Sequence, residues 1–247
     1  FFPIHYFQSN LKNKTIKLSN MTTKTQSQTG AYIFTSESVS EGHPDKIADQ
    51  ISDAILDAYL RQDPQAKVAA ECLITTGRLI IAGEITSHAK VDAAGLAREV
   101  IRNIGYTHES IGFNCDTAAI EDLLHTQSAE INYSVLDGGA GDQGIMFGYA
   151  TDETKELMPM PILIAHQLMA RQALLRKEGQ LPWLLPDAKS QVSIRYQNDI
   201  PVGIHNVVLS TQHLPDISQD EIRAQVIKQI IEPVISRYFS VHDTEYI

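Results

Sequence analysis

The chain has 247 residues, enough for one large or two ordinary domains, with 43% hydrophobic and 20% charged residues and a formal net charge of −10. All 30 acidic residues lie beyond residue 30 and face 16 basic ones there, a balance that opposes nucleic acid and anionic membranes as partners. No apolar run approaches the roughly 20 residues that span a bilayer, and any polyanionic ligand must be held by metal ions and a few local cations.

Residues 1–30 carry lysines but no Asp or Glu. Met21 and the polar run behind it resemble a natural start, so residues 1–30 are expected to be a disordered or non-native leader, with a transit peptide as the alternative. Cys72 and Cys115 have no metal-like spacing, and a reduced, cytoplasmic pair is expected rather than a disulfide.

Pro44 suits the first position of a helix whose apolar face is Ile47, Ile51, Ala54, Ile55 and Ala58, ended by Asp63-Pro64. Strands are predicted over 68–75 and 79–86 around Thr76-Gly77, then a helix over 91–104 closed by Gly105. The order recurs: a helix over 161–178 stopped by Gly179, strands over 190–196 and 204–211 around Asn198-Asp199, and a last helix from Ser218, spaced from Glu221 as a capping box, burying Ile222, Val226, Ile230 and Val234. This predicts an α+β fold of repeated modules, each a sheet covered on one face by helices. The expected units are 31–133 and 134–247, joined at the glycine-rich stretch 134–144.

Three segments carry chemistry. The run from Thr35 to Lys46 is polar and tight and opens the first helix, where free backbone N–H groups and the helix dipole favour an anion. His43, Asp45 and Lys46 could supply a phosphate hydrogen bond, a Mg²⁺ ligand and a point charge, although taken alone they read first as a well-capped helix with surface charges. The run Gly138-Gly-Ala-Gly-Asp142-Gln-Gly144 lets backbone approach a ligand closely, with Asp142 free to hold a cation or a sugar hydroxyl; it is neither a Walker loop nor a dinucleotide fingerprint. A plain connection is the alternative. In the run from Leu181 to Val192, two prolines stiffen a turn feeding a strand, and Asp187 and Lys189 should project to the same side of the extended chain.

Together these segments resemble methionine adenosyltransferases. The resemblance rests on Phe34-Thr-Ser-Glu-Ser-Val-Ser-Glu-Gly-His43-Pro-Asp-Lys46 and its continuation to Asp53, on Gly-Ala-Gly-Asp142-Gln-Gly running into Met146-Phe-Gly-Tyr-Ala-Thr151, and on Pro186-Asp-Ala-Lys-Ser-Gln-Val192. It implies synthesis of S-adenosylmethionine from ATP and L-methionine, with sulfur attacking the ribose 5′ carbon and phosphate and pyrophosphate released. It implies His43 and Lys189 as catalytic residues at the triphosphate, with Asp142 and Asp187 as further ATP contacts. Glu84 and Gln127 resemble the methionine-binding residues, Asp45 a Mg²⁺ ligand and Glu71 a K⁺ ligand. Read without the resemblance, Glu71 is an outward strand carboxylate and Gln127 a loop amide. The implied assembly is a homodimer or dimer of dimers with active sites between subunits.

Leu185 departs from the family pattern, which has Arg there, and so removes an ion pair or phosphate contact. The family's later segments and third domain do not occur in these residues, so they are expected to come from a longer parent and to make no product alone. A noncatalytic nucleotide-binding or oligomerisation module is the competing reading.

Overall fold

The computed structural model describes residues 30–108, 111–126, 144–242 and 244–247. Strand β1 (Ala31–Val39) leads through Ser40–His43 into helix α1 (Pro44–Gln62). Pro44 occupies the first turn, His43 Nδ1 accepts the Asp45 N–H at 3.2 Å, and Ile47, Ile51 and Ile55 are buried along one face. Asp63 leaves helical geometry with φ −141°, and Pro64 prevents continuation.

Strands β2 (Lys67–Thr75) and β3 (Arg78–Thr86) form an antiparallel hairpin whose turn uses Gly77 at φ +66°. Helix α2 (Ala93–Ile104) starts with Asp92 accepting the Gly95 N–H and ends with Gly105 in the left-handed region. Strand β4 (Ala119–Thr126) then runs parallel to β3, giving a sheet of order β2-β3-β4. Its core side packs Leu79 and Ile81 against Ile47, Ile51 and Ile55 of α1 and Ala97 and Ile101 of α2.

The second module repeats this order. Helix α3 (Met160–Lys177) precedes the hairpin of β5 (Leu184–Gln197) and β6 (Ile200–His213), which turns through Asn198 and Asp199 at φ 52° and 64°. Two consecutive positive φ values are what a twisted two-residue hairpin demands, and Asn and Asp tolerate them. Helix α4 (Gln219–Val226), a π-helical turn over Ile227–Ile231 and helix α5 (Glu232–Ile235) follow, and β7 (Glu245–Tyr246) runs parallel to β6 as β4 does to β3. The predicted single last helix therefore carries an irregularity. Pro233 has no N–H for the Gln229 carbonyl, and Arg171 Nε of α3 donates to that oxygen instead. Ile222, Val226, Ile230 and Val234 are buried as predicted, with Ile164, Leu168, Val192, Ile194 and Ile204.

The α+β fold of repeated, one-face-covered sheets is thus present, and it extends to a third strand in each repeat. Strand β1, whose polar second half carries no local strand signal, crosses to the other module and pairs antiparallel with β5, giving the order β1-β5-β6-β7. Among the described residues no helix is long and apolar enough to cross a membrane.

Buried Asp63 ties the end of α1 to the chain after β3. It accepts from Ser87 Oγ at 2.6 Å, Gln65 N at 3.1 Å and His88 N at 3.2 Å. The Ser87 hydroxyl, then the two backbone donors, hold its carboxyl below the ordinary range against the opposing effect of burial. A depressed folded pKa favours the native state above the unfolded pKa and loses that contribution as pH falls through the folded one. Asp63→Asn should therefore lower Tm at neutral pH, with the deficit narrowing as pH drops through the carboxylate range. Thermal unfolding followed against pH checks this; a pH-independent deficit would assign the loss to geometry alone.

Candidate active site

The β1–β5 pairing brings the first and third sequence segments together across about 145 positions of chain. Ser40 is the joint. Its N–H donates to the Ala188 carbonyl at 2.9 Å, its hydroxyl donates to the Pro186 carbonyl at 2.7 Å, and the same oxygen accepts the Ala188 N–H at 2.8 Å. Tyr106, whose phenol is pushed up by burial and stays a donor, donates to the Gly42 carbonyl at 2.6 Å. The loop that aims His43 is thus pinned from both modules.

Within this frame His43 is largely buried, with 13% of its side chain exposed, and its Nδ1 lone pair receives the Asp45 N–H. That bond leaves Nε2 as the protonated nitrogen of the neutral ring, a donor for an anionic oxygen. Asp187 and Lys189 lie inside β5 and not at its entrance as predicted: the strand begins at Leu184, and the ladder slips between Leu184 and Ala188. Pro186 occupies that bulge, where its missing N–H interrupts no regular pairing. Asp187 and Lys189 project to one side, as the two-residue spacing requires.

Burial pushes the Asp187 carboxyl above its ordinary range, while nearby His43 and Lys189 pull it down. The three side chains are therefore electrostatic neighbours. Asp187 Oδ1 is buried and has no hydrogen-bond partner among the described residues, an acceptor open to a ligand hydroxyl or amine. It lines a cavity of about 330 Å³ between the modules, with Pro44 of α1, Thr75 and Thr76 of the hairpin turn, Tyr106 and Gln212. Gln212 Oε1 is likewise buried and unpartnered there. Nothing in the sequence had singled out Ser40, Tyr106 or Gln212; their signal lies only in long-range pairing.

The remaining predicted residues stand apart. Asp45 is in the first turn of α1 with its side chain 86% exposed, and Lys46 turns to Asp49 at 2.6 Å. Glu71 of β2 and Glu84 of β3 point to the sheet face opposite the helices. Glu71 is exposed there, and Glu84 lies 3.3 Å from His125 Nε2 of β4. No hydrogen bond or ion pair among the described residues joins either glutamate to His43, Asp187 or Lys189. Asp142 and Gln127 lie outside the described residues. Leu185 is half-buried, its carbonyl accepting from Gln172 Nε2 at 3.0 Å.

The donor sets can be tested against the implied metals. Among the described residues no three His, Cys, Asp or Glu side chains converge. Asp45, an open hard-oxygen ligand, fits Mg²⁺, which keeps several waters and is commonly shared with substrate phosphates. Glu71 offers one carboxylate and no cage, so the described residues do not by themselves make a K⁺ site.

A cleft between two α+β modules, lined by Pro44 at a helix N-terminus and by Asp187, with the His43 imidazole and the Lys189 ammonium as electrostatic neighbours of Asp187, is suited to a phosphate-bearing ligand. Family models match along most of the chain: S-adenosylmethionine synthetase, N-terminal domain, over residues 31–129, and S-adenosylmethionine synthetase, central domain, over residues 137–247. The chain belongs to the S-adenosylmethionine synthetase family.

Proposed function

We propose that this chain carries the triphosphate-facing half of a methionine adenosyltransferase site. The supporting observation is the convergence of His43, Asp187 and Lys189, from segments joined only through β1–β5 pairing, beside an unpartnered buried carboxylate oxygen. In the reaction, the methionine sulfur attacks the ribose 5′ carbon of ATP, the carbon–oxygen bond breaks, and triphosphate leaves before hydrolysis to phosphate and pyrophosphate. A thioether has no proton to surrender, so no general base is needed. Catalysis reduces to alignment and to stabilising the departing anion.

His43 Nε2–H and the Lys189 ammonium meet the triphosphate oxygens, and Asp187 accepts from the nucleoside or fixes the ammonium. Asp142 of the glycine loop is a further nucleotide contact, and Glu84 and Gln127 hold methionine. Asp45 would be the protein ligand for Mg²⁺, whose charge would offset the deficit of cations in this acidic chain, and Glu71 would supply one carboxylate toward K⁺. The placement of Glu71 and Glu84 on the sheet face away from the helices accords with sites completed by a second subunit in a homodimer or dimer of dimers. A cytoplasmic location belongs to the same reading.

Product formation tests it. The full-length protein supplied with ATP, methionine, Mg²⁺ and K⁺ should yield S-adenosylmethionine, phosphate and pyrophosphate. A folded preparation that binds ATP yet forms no sulfonium product would overturn the transferase reading in favour of a binding module.

A further inference from the structure

On the helix side of the second sheet, a cavity of about 410 Å³ is lined by Tyr32, Phe34, Tyr149, Glu153, Pro159 and Tyr196. Four aromatic residues and one carboxylate face it, and no lining residue is cationic. Tyr32 and Tyr196 are register partners on β1 and β5, and their rings stack 5.1 Å apart at 5°, making one flat wall. Phe34 is 51% exposed and Tyr149 77% exposed, so these rings are not absorbed by the core as ordinary packing would absorb them.

The polar groups are already committed in a way that sharpens the chemistry. Tyr196 donates its hydroxyl to Glu153 Oε2 at 2.8 Å, and Met160 N donates to the same oxygen at 3.0 Å. Thr151 Oγ1 is 3.5 Å from Glu153 Oε1. Tyr32 donates its hydroxyl to Asp199 Oδ1 at 3.1 Å. Phenols that donate to carboxylates have electron-richer faces, and the Glu153 charge is held in place beside them. An ammonium with several N–H groups would find few free acceptors here. A cation whose charge is spread over methyl groups needs none and gains from ring faces and a nearby carboxylate.

We propose that this aromatic pocket binds a methylated onium cation, a quaternary ammonium or a sulfonium. The onium assignment stands on the pocket alone; only the sulfonium source rests on the proposed function, whose product is one.

The probe is tetramethylammonium, titrated into the full protein and followed by calorimetry or proton NMR, with tert-butanol as the neutral control of similar shape. Saturable binding is expected, weakened roughly tenfold by Tyr149→Ala and by Glu153→Gln, with none for tert-butanol. Tyr149 is a surface side chain, and glutamine keeps the acceptor for Met160 N and Tyr196, so both variants should remain folded. Displacement of tetramethylammonium by S-adenosylmethionine but not by S-adenosylhomocysteine, whose sulfur is a neutral thioether, assigns a sulfonium. Absence of displacement by either assigns a quaternary ammonium. Equal binding of tert-butanol, or no Tyr149-dependent binding of any onium, overturns the proposal. Such a failure leaves the product-formation test untouched, because neither variant alters His43, Asp187 or Lys189.

Discussion

Under the proposed function, Lys189→Ala in the parent protein is expected to lower kcat by roughly 10²–10³, the usual cost of removing one preorganised charge that stabilises a transition-state anion. The fold should hardly register the change. Lys189 is exposed on β5, opposite Val39 and Ser210, and its side chain makes no hydrogen bond or ion pair among the described residues. Surface truncations of this kind stay within about 0.5 kcal/mol, so Tm should move by about 2 °C at most. The variant should also become more acid-sensitive. Lys189, with His43, opposes the upward push of burial on Asp187, and without it that carboxyl protonates at higher pH. A kcat profile against pH, read beside a thermal melt, separates these effects. A rate near the parent value would remove Lys189 from the mechanism, and a large drop in Tm would make it structural.

Much of the fold was legible because its elements obey local rules. Ile47, Ile51 and Ile55 recur at helical spacing, Gly77 and Gly105 sit where positive φ is needed, and Asn198-Asp199 supplies its hairpin turn. The strands that were not legible fail those rules. In β1 the run Thr35-Ser-Glu-Ser38 is polar and reads as loop. It is extended because β5 supplies a partner ladder and because its hydroxyls find mates in Ser193 Oγ at 2.8 Å and His166 Nδ1 at 2.7 Å. Strand β4 interrupts its alternation with Glu121-Asp122-Leu123-Leu124 and depends on β3 alongside it. Strand β5 reaches back through Pro186 only because a bulge absorbs the proline.

The site shows the same division. Chemistry-bearing residues could be picked out by type and spacing, and the equal projection of Asp187 and Lys189 follows from strand geometry alone. That His43 faces them is a property of β1–β5 pairing, which no local pattern encodes. The roles assigned to Glu71 and Glu84 come from family resemblance. Alternation places both on the open sheet face, and a carboxylate there has no single meaning.

Gly42→Ala tests that long-range joint directly. A Cβ on Gly42 would lie 2.4 Å from both Cβ and the carbonyl oxygen of Pro186 and 2.5 Å from its carbonyl carbon. None of these atoms belongs to a flexible side chain. The proline ring cannot rotate away, and its carbonyl is held by the Ser40 hydroxyl, as the Ala188 N–H and carbonyl are held by Ser40. Relief must come from moving one pinned backbone away from the other. We expect a stability loss of about 3 kcal/mol, the upper end for overpacking in a site that cannot yield. The same displacement separates His43 from Asp187, so kcat should fall even below the melting transition, where the fold persists. Chemical denaturation paired with turnover at low temperature checks both parts. A variant as stable and as fast as the parent would mean that the loop before α1 and the bulge of β5 are not in register with each other, and that the proposed site is not assembled there. A stable but slow variant would locate the joint's importance in aiming His43 and not in holding the two modules together.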